Sequence, residues 1–264
     1  MIVRSATDRE DLIEAGKRLG RVLEACAAKV APGMSVRELD ALAERLIREG
    51  GDTPAFLHYT PEGAERPYPA TLCVSVNDEV VHGIPTEDPR TLQEGDIVAL
   101  DLGLTHHGMI VDSAVSVAVG KTDATSYKLM DATRAALEAG MAAARPGKRI
   151  GDISHAIEKA YDGSGFAIVK VLGGHGVGQR VHEEPFVPNL GHPGTGPEIV
   201  PGMVLALEPI ANAGKSAVVL AGDGYTYRTK DGSRSAHFEH TILIEEAGTL
   251  VLTRRPSEDA PAVV

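Results

Sequence analysis

A proline-glycine pair occurs twice in this chain, at Pro32-Gly33 and Pro146-Gly147, each time between two helical patterns and ahead of apolar strand runs. Laying one pair on the other at an offset of 114 matches Val36 with Ile150, Glu38 with Asp152, Leu39 with Ile153 and Glu44 with Glu158. In the first copy Thr7-Asp8-Arg9-Glu10 has the form of a capping box, and Leu12, Ala15, Leu19, Val22, Leu23 and Cys26 follow at helical spacing. Ser35-Val36-Arg37-Glu38 opens a second helix with Leu39, Leu42 and Leu46 on its apolar face, ending at Gly50-Gly51. Strand-like runs come next, TLCVSV (71–76), IVALDLGL (97–104) and MIVDSAVSVAV (109–119). The second copy runs as a helix to about Ala144, a helix in ISHAIEKAY, and further strands. Helix-turn-helix patterns coincide by chance often enough that a few matched positions prove little. The strands decide it: Asp101 and Glu208 each stand six residues after a glycine, at the end of an apolar run. A duplicated ααβ unit predicts an α/β chain of two like halves, about 8–120 and 122–250, with the segment from Arg254 onward too poor in periodic apolar residues to pack.

Composition narrows the function classes. A formal net charge of -11 with no basic stripe argues against a nucleic-acid partner. Cys26 and Cys73 lack a CxxC spacing and sit among apolar residues, which points away from disulfides and towards a reducing compartment. The charged N-terminal stretch is unlike a signal peptide, and no apolar run reaches membrane-spanning length. A cytoplasmic location with no membrane contact is the expectation.

Four acidic residues lie inside apolar strand runs: Asp101, Asp112, Glu208 and Glu239, none with a Lys or Arg within four positions. A carboxylate in a half-buried strand costs several kcal/mol unless it is paired or binds a metal. Any one of them could cap a turn or meet a distant arginine; four together call for cations. Asp101 and Asp112 also flank Thr-His-His-Gly, a turn between two strands. With His106-His107 as a two-residue loop, Asp101 faces Asp112 and their Cβ atoms stand about 4.5–5.5 Å apart. A turn shifted by one residue changes the partner and keeps both side chains on one face.

The stretch GGHGVGQRVHEEP (173–185) adds nitrogen. Its glycines suggest a backbone that larger residues could not follow, presenting His175 to the carboxylates, with His182 near enough to act without ligating. A histidine in a merely flexible loop and a phosphate-cradling loop are the competing readings. The second lacks the lysine and following helix of a P-loop. Four carboxylates and one imidazole suit two divalent ions of the manganese, iron or cobalt kind better than a structural zinc site. Such a pair of ions acidifies water and polarises a carbonyl, so hydrolysis is the expected reaction class.

The segments NDEVVHGIP (77–85), DLGLTHHGMIVDSA (101–114), GGHGVGQRVHEEP, GMVLALEPIANAGK (202–215) and HFEHTILI (237–244) together resemble type I methionine aminopeptidase, over nearly the whole chain. The resemblance implies the pita-bread fold: a pseudo-twofold α/β (α+β) architecture with antiparallel sheets covered by helices. One catalytic domain would span 1–255, followed by a flexible tail at 256–264. It implies removal of the initiator methionine ahead of a small second residue, with two divalent ions (Co, Mn, Fe or Zn) held by Asp101, Asp112, His175, Glu208 and Glu239. Asp112 and Glu239 would touch both ions. His182 would contact the substrate carbonyl, His82 would assist proton transfer near the scissile amide, and Glu208 would double as proton shuttle. Tyr68 and Cys73 stand at the family's pocket spacing, with Phe56, Tyr59, Val181 and Tyr225 as further pocket candidates. Two departures concern that pocket: the 58–69 loop is long for the family, and Tyr225 stands where many relatives carry tryptophan. The partners implied are nascent polypeptide N-termini and, transiently, the ribosome, with the enzyme a monomer. A proline-directed aminopeptidase of the same fold and a silent binding homologue are the alternatives.

Overall fold

The structure, a computed structural model, describes residues 1–258. Helix α1 (Ala6–Ala27) buries Leu12, Ala15, Leu19, Leu23 and Cys26 on one face. Its N-cap is Ser5, whose hydroxyl accepts from the Asp8 N–H at 3.0 Å. The helix therefore begins ahead of the expected Thr7 box: Ser5 already satisfies an orphan amide of the first turn. Helix α2 (Val36–Glu49) starts at Ser35, as its Ser-x-x-Glu signature predicts. Its buried face is Val36, Leu39, Ala43 and Ile47, which leaves Leu42 and Leu46 half-buried at the edge.

Strands β1 (Thr53–Pro54), β2 (Leu72–Val76), β3 (Glu79–Val81), β4 (Ile97–His106) and β5 (Met109–Ala118) complete the first half. Strand β4 pairs antiparallel with β5 and with β1 and β2. The β4–β5 register sets Asp101 opposite Ala114 and Gly103 opposite Asp112. Asp101 thus does not face Asp112; the partner is shifted because the turn is His107-Gly108. A two-residue hairpin turn with both residues left-handed matches strand twist, and His107 (φ 48°) with Gly108 (φ 84°) supplies that geometry. Both carboxylates still lie on one face, two rungs apart.

The second half repeats the plan with α3 (Ala124–Ala143) and α4 (Ile150–Ala160), whose first residue lies at the predicted equivalent of Val36. Strands β6 (Ala167–Ile168), β7 (Gly173–Gly176), β8 (Glu183–Pro188), β9 (Val204–Leu207), β10 (Ile210–Asn212), β11 (Val218–Leu220), β12 (Tyr227–Thr229), β13 (Ser235–His237), β14 (His240–Glu245) and β15 (Gly248–Val251) follow. The main second-half sheet has the order β15-β14-β9-β7-β8, all antiparallel. Smaller antiparallel sheets, β13-β10-β6 and β11-β12-β3, lie beside it, and the latter carries β3 of the first half.

The halves are stitched along β5 and β13–β14. Ala114 and Glu239 exchange backbone hydrogen bonds (2.9 and 3.3 Å). One step on, the Asp112 N–H donates to Thr241 Oγ1 at 2.8 Å and that hydroxyl donates back to the Asp112 carbonyl at 2.7 Å. On the other side Ser116 Oγ does the same with the backbone of His237 at 2.9 Å. The bulk of the buried apolar residues, from Leu12 and Leu39 to Leu137 and Ile153, form one continuous core under the four helices.

The chain's end departs from expectation. Residues 252–254 run across α1 where Gly16 and Gly20 leave room for backbone: an added Cβ would meet the Leu252 carbonyl at 2.3 Å and that of Arg254 at 2.4 Å. Arg255 is buried and paired with Glu258, which also faces His240. Arg254, Arg255 and Glu258 are therefore held against the fold while Pro256 and Ser257 are exposed, and the rest of the expected tail, 259–264, lies outside the described residues.

Candidate metal centre and substrate pocket

The seam between the halves brings the acidic residues together. Cys73 of β2 and Ala114 of β5 flank Asp101 of β4, so Asp101 and Asp112 come from the first half. His175 pairs with Ala206 across β7 and β9, which sets His175 and Glu208 on one face. The β9–β14 pairing, His240 with Leu207, extended by one residue sets Glu208 opposite Glu239.

His175 Nδ1 donates to the Gly176 carbonyl at 2.9 Å, so Nε2 carries the lone pair. That nitrogen stands 3.7 Å from Glu208 Oε1 and 4.0 Å from Asp112 Oδ2. Donor atoms of Asp112, His175 and Glu239 all lie within 4.8 Å of one another. The Gly-rich stretch achieves this differently from the sequence expectation. Gly173, Gly174 and Gly176 lie in a strand, and their need is space: a Cβ would meet the carbonyl oxygens of Val187, Ala206 and Glu184 at 2.7, 2.2 and 2.2 Å. Gly178 alone of the four has a left-handed φ (141°).

Whether these carboxylates suit a metal is decided by comparison with the other buried acids. Asp40 accepts from the Thr71 and Leu72 amides at 2.8 and 2.9 Å, Asp52 meets Arg18 and His106, and Glu79 meets Arg228 and Arg90. Among the described residues, the buried carboxylates with a partnerless oxygen are Asp101, Asp112 and Glu239. Burial lifts Asp101 to about 7. Burial, then the neighbouring carboxylates, raises Asp112 and Glu239 well above the usual range, and burial and Asp101 do the same to Glu208. Clustered acids that cannot all ionise, three of them with a free oxygen, are what a bound divalent cation resolves. A second group, Asp11, His106 and His107 at the hairpin tip, is already paired: His107 Nδ1 lies 2.9 Å from Asp11 and His106 Nδ1 2.7 Å from Asp52.

Above the acids lies a cavity lined by every residue the sequence singled out: His82, His182, Phe56, Tyr59, Tyr68, Cys73, Val181 and Tyr225 as well as Asp101, Asp112, His175, Glu208 and Glu239. Phe56, Tyr68, Cys73, Val181 and Tyr225 are buried and pack together as a cluster separate from the main core. The long loop is closed by two backbone bonds, His58 N–H to the Tyr68 carbonyl at 2.9 Å and Tyr68 N–H to the Tyr59 carbonyl at 2.8 Å. Tyr225 pins its tip through a hydroxyl bond to the Arg66 carbonyl. Tyr59 and His182 are hydrogen-bonded at 3.0 Å, and the His182 ring meets His175 edge-on with centroids 4.6 Å apart. Burial holds His82 down at about 4, His175 at about 3, and His182 below its ordinary value. His82 and His175 are therefore neutral near pH 7. Sequence reading missed three wall residues, Pro61, Val81 and His237. For His237 a signal existed: it stands two positions before Glu239, on the same face of an extended segment.

A two-layered α/β shell of repeated halves around a carboxylate-imidazole cluster defines a metal-dependent hydrolase. Residues 10–246 match metallopeptidase family M24, and the chain belongs to that family. It is 42% identical over 253 residues to the methionine aminopeptidase of Aquifex aeolicus, covering 94% of this chain and 97% of that protein. The crystal structure of methionine aminopeptidase from Thermotoga maritima superposes with a TM-score of 0.90 at 39% identity, over 97% of this chain and 100% of that one. These neighbours carry the pita-bread fold, as does a prolidase from Pyrococcus furiosus (TM-score 0.72, 20% identity, 96% of this chain and 65% of that one). The fold alone therefore does not choose the substrate. No helix among the described residues is long and apolar enough to cross a membrane.

Proposed function

We propose that the protein is a methionine aminopeptidase that removes the initiator methionine from nascent chains whose second residue is small. The observation that carries the reading is the set of partnerless carboxylate oxygens lining a largely apolar pocket, taken with the methionine aminopeptidases it resembles along its length. Asp101, Asp112, His175, Glu208 and Glu239 would hold two divalent ions, since four carboxylates balance two M²⁺; Co, Mn, Fe and Zn all suit the donor set. Bound there, the ions supply Lewis acidity to a carbonyl and lower the pKa of water.

The chain's own residues do the rest. Phe56, Tyr59, Tyr68, Cys73, Val181 and Tyr225 enclose a flexible apolar side chain and keep water out, a setting suited to a thioether. His182, oriented by Tyr59, offers an N–H to the substrate carbonyl oxygen, and neutral His82 faces the scissile amide. Glu208 accepts a proton from the attacking water and passes it to the leaving amine. Residues 1–255 act as one catalytic domain, with halves 8–120 and 122–250 closing on the site. The enzyme works as a cytoplasmic monomer that meets nascent chains at or near the ribosome.

The test is hydrolysis of Met-Ala-Ser, Met-Leu-Ser and Ala-Pro-Ser by chelator-treated protein after adding back Mn²⁺, Fe²⁺, Co²⁺ or Zn²⁺. Metal-restored cleavage of Met-Ala-Ser alone is expected. Cleavage only before proline would make the protein a proline-directed peptidase, and silence with every metal would make it a binding homologue. Asp112→Ala should lose both metal and turnover, and normal turnover by that variant would overturn the ligand assignment.

A further inference from the structure

His237 stands in the wall of the pocket with no role assigned so far. It is 2% exposed, and neither ring nitrogen has a hydrogen-bond partner. An ordinary core histidine in this protein looks different: His240, 1% exposed, has Nδ1 3.0 Å from Thr253 Oγ1 and Nε2 3.4 Å from Glu258. The ring of His237 is also not free to look elsewhere, because its backbone N–H and carbonyl are both tied to Ser116 Oγ at 2.9 Å.

Its Nε2 lies 3.5 Å from Glu208 Oε2 and 3.7 Å from Glu239 Oε2. Those separations are long for hydrogen bonds. They match the spacing of His175 Nε2 from Glu208 Oε1 (3.7 Å) and from Asp112 Oδ2 (4.0 Å). Donors each about 2.1 Å from one ion, at angles between octahedral and tetrahedral, stand roughly 3.0–3.4 Å from one another. The four observed distances are a few tenths of an ångström wider than that, as expected for donors converging on positions that a cation would draw in. Glu208 lies between two imidazoles, one oxygen turned to each.

We infer that His237 is a sixth metal ligand, giving its Nε2 to the ion held by Glu208 and Glu239, so that each of the two ions receives one imidazole. The inference rests on the metallo-aminopeptidase reading above. A nitrogen at both positions moves an oxygen-rich site towards ions that favour imidazole, such as Zn²⁺ and Fe²⁺, and away from Mn²⁺.

The experiment loads the full-length protein with Co²⁺ and counts imidazoles by X-ray absorption, alongside calorimetric titration of wild type and His237→Gln. The expected result is two cobalt ions per chain with an average of one imidazole each. In His237→Gln the average falls to one half, and the weaker ion binds about tenfold or more less tightly. Two bound ions sharing a single imidazole in the wild type, or unchanged affinities in the variant, would overturn the assignment and leave the aminopeptidase reading standing. A wild type that binds no divalent ion and cleaves no methionyl peptide would remove both. If His237→Gln does not fold, the hyperfine-shifted imidazole N–H signals of the cobalt-loaded wild type decide alone: two support the sixth ligand and one overturns it.

Discussion

The clustered acids make stability depend on pH in an unusual direction when metal is absent. Burial lifts Asp101 to about 7, whereas an aspartate in an unfolded chain ionises near about 3.9. The folded protein then keeps a proton that the unfolded chain has released. Its contribution to stability is full below about pH 3.9 and is lost as pH rises through about 7. Melting of the metal-free protein should therefore fall between roughly pH 4.5 and 7.5 relative to Asp101→Asn; parallel curves would mean that Asp101 is ionised in the fold without a cation. His182 makes a separate prediction. It sits at the pocket mouth beside Tyr59 rather than among the orphan oxygens, so His182→Ala should keep its metal while kcat drops about a hundredfold or more. Loss of metal on titration of that variant would move His182 into the ligand set.

Among the elements, β7 shows how backbone packing places the His175 side chain. Gly174 has an ordinary extended conformation, yet a Cβ there would stand 2.2 Å from the Ala206 carbonyl of β9. A methyl group in that place must push β7 away from β9 and carry His175 with it. Gly174→Ala should cost about 1–3 kcal/mol and weaken metal binding, both visible in one thermal melt series with and without Mn²⁺. An unchanged melt would show that the strands can separate at no cost. Element boundaries were largely legible beforehand: the 3.6-residue periods of α1 and α2, the offset between α2 and α4, and the apolar runs of β2, β4 and β5 all appear where local pattern puts them. Two were misplaced where cap or turn chemistry competed. Ser5 outcompeted Thr7, and His107-Gly108 displaced His106-His107 because only the later pair fits two left-handed residues.

Across the whole molecule the carboxylate-imidazole cluster draws its side chains from both halves, Asp101 and Asp112 from one and His175, Glu208 and Glu239 from the other. The seam at β5 and β13–β14 and any cation beside it therefore oppose the same separation. A ligand that binds only the folded protein, at a hundred times its Kd, adds about 2.7 kcal/mol. For a chain of this size that is roughly 5–10 °C in Tm. Chelation should lower Tm by that amount and speed amide exchange along the seam, at Ala114 and Glu239 first. A Tm indifferent to chelator would show that the cluster does not bridge the halves.

The duplication, the helical faces and the residues of the acid cluster could be read from the sequence, because period and spacing are local properties that a single chain displays. Acids in apolar strands stood out since nothing near them in the chain could balance their charge. What tertiary structure alone decided is which acids remain unbalanced. Asp40, Asp52 and Glu79 find amides, arginines and a histidine up to 149 residues away, while Asp101, Asp112 and Glu239 keep an oxygen free. The same holds for His237 and for the glycines around His175. Their roles depend on which backbone lies against them, and the pairing of β5 with β13–β14 and of β7 with β9 sets that, across separations no local pattern records.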